Sequence, residues 1–75
     1  MAEHIQFSES DPRHHTVKLK GMLTEAITYA RENVRKVNDP KAQALFETTA
    51  EVLIGLRKAF EDFEQKTEEA WRKAG

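Results

Sequence analysis

Between Asp39 and about Lys73, apolar or small side chains recur at alternating steps of three and four residues. Ala42, Phe46, Thr49, Leu53, Leu56, Phe60, Phe63, Thr67 and Ala70 make the seam, and Leu45, Val52 and Ala59 widen it. That period predicts an α-helix, and the width of the apolar face suits a bundle helix better than a two-stranded coiled coil. Asp39 is placed to cap the first turn, and Pro40 fits the first helical position, where its missing N–H costs nothing. A helix of this length spans about 50 Å. Little of it would hold in water unless its apolar face is covered. A chain organised around such a segment must find it a partner.

The same start signal occurs upstream. Ser8-Glu9-Ser10-Asp11-Pro12 offers Asp11 as cap and Pro12 as first helical residue, and predicts a first helix from 12 to about 37. Its apolar positions are Leu19, Met22, Leu23, Ala26, Ile27, Ala30, Val34 and Val37. Only Asn38 and Asp39 then separate it from the second helix, at 40–73, and so short a link forces an antiparallel hairpin. Counting outward from the turn sets Ala30 near Phe46, Leu23 near Leu53 and Pro12 near Gln65. The second helix then overhangs the first from about Lys66, carrying Trp71. Thr16-Val17-Lys18-Leu19-Lys20 also alternates like a strand, and Gly21 is a poor helix-interior residue. A short β-hairpin of 4–7 against 14–20 is therefore the competing reading. Residues 1–11 read as an extended N-terminal arm, in the plainer reading a frayed terminus and in the sharper one an arm whose Ile5 and Phe7 pack on a neighbouring subunit, and 12–75 as the hairpin domain.

Seventy-five residues bury too little surface for comfortable stability without a staple or a second chain. There is no cysteine, so disulfides and thiolate chemistry are excluded. Self-association remains, and the expected architecture is all-α: a two-helix hairpin that dimerises into a four-helix bundle, with a tetramer left open. The residues expected to form the interface are Leu23, Ala30, Phe46, Leu53, Leu56, Phe60, Phe63 and Trp71, the last as an aromatic anchor. Asn33 falls on a heptad position, where one asparagine can set register. Gly55 would permit a close helix crossing.

Catalytic and metal chemistry lack their parts. His14 and His15 are adjacent and point about 100° apart on a helix, so they read as exposed residues rather than a ligand pair. No Glu-x-x-His or His-x-x-x-His occurs, which fails the di-iron bundle pattern. Glu47 and Glu51 share a helix face but lack a histidine at the required spacing. Gly21, Gly55 and Gly75 are isolated, so no phosphate-cradling loop is present. No enzyme activity, cofactor or metal is expected.

Lys+Arg 12 against Asp+Glu 13 gives a formal net charge of −1, which draws the chain neither to nucleic acid nor to an anionic membrane. The opening Met1-Ala2-Glu3-His4 lacks the pattern of a signal peptide, and no apolar run has membrane-spanning length. A cytoplasmic protein is expected. Arg13, His14, His15, Lys18 and Lys20 form a basic run, but an antiparallel partner would set it beside Glu61, Asp62, Glu64, Glu68 and Glu69. Two functions follow from different classes. The first is a structural or adaptor protein acting through helix-mediated self-association, with a further protein partner left open. The alternative is a nucleic-acid-binding dimer using Arg13, Lys18 and Lys20. Secreted WXG-type hairpins carry Trp-x-Gly in their turn, where this chain has Val37-Asn38-Asp39-Pro40. Homodimeric RNA-binding hairpins share the general layout but no motif.

Overall fold

The computed structural model describes residues 7–74, with side chains as far as Thr67. It is all-helical: α1 spans Pro12–Val34 and α2 spans Pro40–Ala74, and the two pack against each other as an antiparallel hairpin. Both start signals act as the chemistry requires. The Asp11 carboxylate accepts from Arg13 N at 2.9 Å, and the Asp39 carboxylate accepts from Lys41 N at 3.0 Å. Each satisfies a first-turn N–H that has no partner within the helix.

α1 is continuous through 14–20 and Gly21, so the strand alternative for that stretch fails; residues 4–6 lie outside the described part. Helical hydrogen bonding from the Asp11 cap onward outweighs the single glycine, whose cost is about 1 kcal/mol. α1 ends at Val34, three residues before the expected Val37, because a turn closes there with Lys36 N donating to Asn33 O at 3.1 Å. The connection therefore runs from 35 to 39, and Gln43 Nε2 ties it down by donating to the Val37 carbonyl at 2.8 Å.

The longer connection changes the register. Ala30 and Phe46 line one groove as expected, but the expected pairing of Pro12 with Gln65 is not kept, because the hydroxyl of Thr16, one turn further on in α1, meets Glu64, and Val34 shares a groove with Glu47. α2 is displaced along α1 by roughly one turn, because the loop advances along the hairpin axis before reversing.

The face of α2 turned to α1 is also rotated from the expected seam. Ile27, Ala30 and Ala50 are the buried core, with Phe46, Leu53 and Ile54 packed against it. Ala50 and Ile54 were absent from the sequence seam. Two of the three buried residues are alanines, whose small side chains admit a close approach of the helices on the Ala50 side of α2. The price is a thin core.

The arm, in its described part, is not extended. Residues 8–11 form a turn closed by Asp11 N donating to Ser8 O at 2.9 Å, and the histidines grip it. His14 Nδ1 donates to the Phe7 carbonyl and His15 Nε2 to the Glu9 carbonyl, both at 2.9 Å. The Arg13 guanidinium lies 4.3 Å from the Phe7 ring centroid, a cation–π contact. The histidines thus anchor the arm, rather than standing only as solvated side chains. Ile5 lies outside the described residues.

The hairpin is elongated, 55 × 24 × 18 Å, with a radius of gyration of 16.2 Å. A compact chain of 75 residues has a radius of gyration of about 11 Å. Its accessible surface is 6025 Å², against about 4,700 Å² for a compact 8.6 kDa protein.

Candidate association surface

Among the described residues, about half of the apolar side chains are exposed. On α2, Leu45, Val52, Leu56, Ala59 and Phe63 are exposed, at steps of seven, four, three and four, and the half-buried Thr49 fills the gap. On α1, Leu19, Met22, Ala26 and Tyr29 are exposed at steps of three, four and three, with the half-buried Asn33 next in the row. Each set is one straight stripe of a helix, at the spacing that packs against a further helix. Tyr29 at 69 % and Val52 at 61 % exposure are far from the state of a satisfied core.

The two stripes border the same side of the hairpin. Ala26, Tyr29, Ala30 and Asn33 of α1 and Leu45, Phe46 and Thr49 of α2 line one groove of about 320 Å³ near the turn. Its polar members are turned back on their own helices: Asn33 Nδ2 donates to the Tyr29 carbonyl at 2.7 Å, and Thr49 Oγ1 to the Leu45 carbonyl at 2.8 Å. The Thr49 hydroxyl hydrogen is spent locally, while Asn33 keeps a second N–H and its side-chain carbonyl for other partners.

The expected interface residues fall into two groups. Ala30 is buried within the hairpin, and Leu23, Phe46, Leu53 and Phe60 are half-buried between or beside the helices. Leu56 and Phe63 stand out on the open face, at 45 % and 44 % exposure. The side chain of Trp71 lies outside the described residues. Tyr29, outside the expected interface, stands exposed on the α1 stripe. The heptad step from Met22 to Tyr29 was the available signal.

The basic run has a different fate. Arg13 is clamped to Asp11, with Nη2 at 2.7 Å and Nε at 3.1 Å from its carboxylate. Lys20 Nζ lies 2.7 Å from Glu64. Lys18 is exposed, with no partner among the described residues. The guanidinium and backbone N–H of Arg13 hold the Asp11 carboxyl below its ordinary value. At Glu64, partial burial pushes the carboxyl up, but the bonds from Lys20 and Thr16 outweigh it and the net direction is down. Of the expected acidic neighbours, Glu64 makes the contact, while Glu68 and Glu69 have side chains outside the described residues. Asp62 pairs with Lys58 at 3.5 Å.

Among the described residues, no three His, Asp or Glu side chains gather as metal ligands. Among the described residues, no helix is long and apolar enough to cross a membrane. No protein-family model, curated protein or solved structure matches this chain.

Proposed function

We propose that this chain is a small structural or adaptor protein that acts by helix-mediated association, first with a second copy of itself. Two hairpins stacked by their open faces make a four-helix bundle. The observation that carries the reading is the pair of exposed heptad stripes flanking one groove. Area supports it: the hairpin exposes roughly 1,300 Å² more than a compact chain of its mass. A standard stable interface covers about 800 Å² on each partner. Covering the stripes would also supply the core that Ile27, Ala30 and Ala50 only begin. The reading involves no catalytic step and no cofactor, and a cysteine-free chain of this kind suits a cytoplasmic setting.

The nucleic-acid alternative draws less support. Two of its three cations, Arg13 and Lys20, already hold carboxylate partners at 2.7 Å. Each would have to give up that pair to meet a phosphate.

Light scattering behind a sizing column, over a range of concentrations, tests the proposal. A mass near twice 8.6 kDa at micromolar concentration is expected. A folded monomer under the same conditions would contradict it.

A further inference from the structure

Met22 lies on the α1 stripe between Leu19 and Ala26 and is 62 % exposed. The chain has no cysteine and two methionines, so Met22 holds the only sulfur among the described residues. Its surroundings leave the thioether open to small reagents. Gly21 precedes it without a side chain, and a Cβ added there would meet nothing within 4 Å. Ala26, one turn on, offers no more than a methyl group. Met22 also stands outside the core of Ile27, Ala30 and Ala50, so a change at its sulfur leaves the packing of α1 on α2 in place.

We propose that Met22 is an oxidation site that controls self-association, with a hydroperoxide as the oxidant. The inference rests on the self-association reading above and adds its regulation. With hydrogen peroxide, the sulfur lone pair attacks one peroxide oxygen, the S–O bond forms and the O–O bond breaks. The proton on the transferred oxygen passes to the departing one, which leaves as water. Sulfur loses two electrons, the peroxide gains two, and the product is methionine sulfoxide, which sulfoxide reductases turn back to the thioether.

The product changes what the stripe can bury. Methionine is a flexible apolar side chain that fills irregular gaps between packed elements, whereas its sulfoxide is polar and its oxygen needs a hydrogen-bond donor. Leu19 and Ala26, its neighbours on the stripe, have no side-chain donor. Lys18 has one: it is exposed, it has no partner among the described residues, and it precedes Met22 by four positions, the spacing at which side chains meet on a helix. Lys18 or water serves the sulfoxide while the hairpin is alone. A second copy laid over it would take the sulfoxide out of water, which costs free energy unless the same hydrogen bond is kept. Oxidation therefore favours the separate chain. It also proceeds from the separate chain, because the sulfur is open in the lone hairpin and covered in the pair.

Dilute hydrogen peroxide, applied to the chain and to a Met22→Leu variant, tests the proposal; leucine keeps the volume and apolar character of the site. Trypsin releases residues 21–31, in which Met22 is the only sulfur, so mass spectrometry reads its sulfoxide separately from that of Met1. Sedimentation equilibrium reads the dissociation constant, and circular dichroism the helix content. Oxidation of Met22 is expected to weaken the dimer roughly tenfold or more with helix content unchanged, since each copy would bury a polar group. A methionine sulfoxide reductase should restore the dimer, and peroxide should leave association of the Met22→Leu variant as it was. The sulfoxide should form more slowly as chain concentration rises. Unchanged affinity with Met22 oxidised overturns the switch and leaves self-association standing, as does an equal loss in Met22→Leu. Loss of helix on oxidation also overturns it, because the hairpin would then be the target. A chain that is monomeric before peroxide is added overturns both readings.

Discussion

Glu64 on α2 accepts a hydrogen bond from Thr16 Oγ1 at 2.5 Å, joining residues 48 positions apart in the chain. Lys20 Nζ reaches the other oxygen of the same carboxylate at 2.7 Å. This three-residue lock lies far from the turn, where the two helices would otherwise be held together by few apolar contacts.

The lock titrates. The carboxyl of Glu64 is held below its ordinary value near 4.5, so the folded chain binds fewer protons than the unfolded one as that value is approached. Its contribution is complete above about pH 5 and is lost as pH falls through the lower folded value. Glu64→Gln is expected to cost about 1 kcal/mol at pH 7. The gap between variant and wild type should shrink at pH 3.5, as read by urea unfolding at both pH values.

Ile27 is the only large side chain among the three buried core residues. Ile27→Ala removes most of the apolar volume between the helices and should cost about 2–4 kcal/mol. In a chain with so little core, that loss should leave the hairpin largely unfolded at 25 °C, visible as loss of helical circular dichroism.

Gly21 sits in the exposed interior of α1, and a Cβ there would touch nothing within 4 Å. The Gly21→Ala variant should therefore gain helix propensity without a clash, stabilising the fold by up to about 1 kcal/mol. Thermal denaturation followed at 222 nm checks it. A lower melting temperature would mean that the exposed side of α1 is covered in solution.

Val52 and Leu56 project from the centre of the open face of α2. The double variant Val52→Glu, Leu56→Glu leaves the core residues Ile27, Ala30 and Ala50 in place and puts charge where a second hairpin would dock. It should weaken dimerisation by at least a hundredfold, since burying unpaired charge is costly. Sedimentation equilibrium at matched concentrations measures the change. An unchanged mass would move the interface elsewhere.

Asp11-Pro12 and Asp39-Pro40 mark both helix starts to the residue, because a cap is a local interaction between a side chain and the backbone two positions on. The end of α1 was less legible, since nothing between Val34 and Val37 breaks a helix by itself. The stripe of Leu45, Val52, Leu56 and Phe63 was visible as part of a face wider than one partner could cover. Which members of that face look inward was not visible.

The periodicity and caps of this chain are enough to specify two helices, their antiparallel sense and an excess of apolar surface, because each depends on neighbours within one or two turns. Register and rotation were decided only by tertiary contact. Ala30 and Ala50 are buried between the helices, where small side chains admit close packing, and the contact of Thr16 with Glu64 sets α2 about one turn from the counted register. Those two facts turn Ala50 and Ile54 inward and leave Tyr29, Val52 and Leu56 outside. Helical spacing lists the residues of a face, but only the packing of one helix on another selects the part of that face which is used.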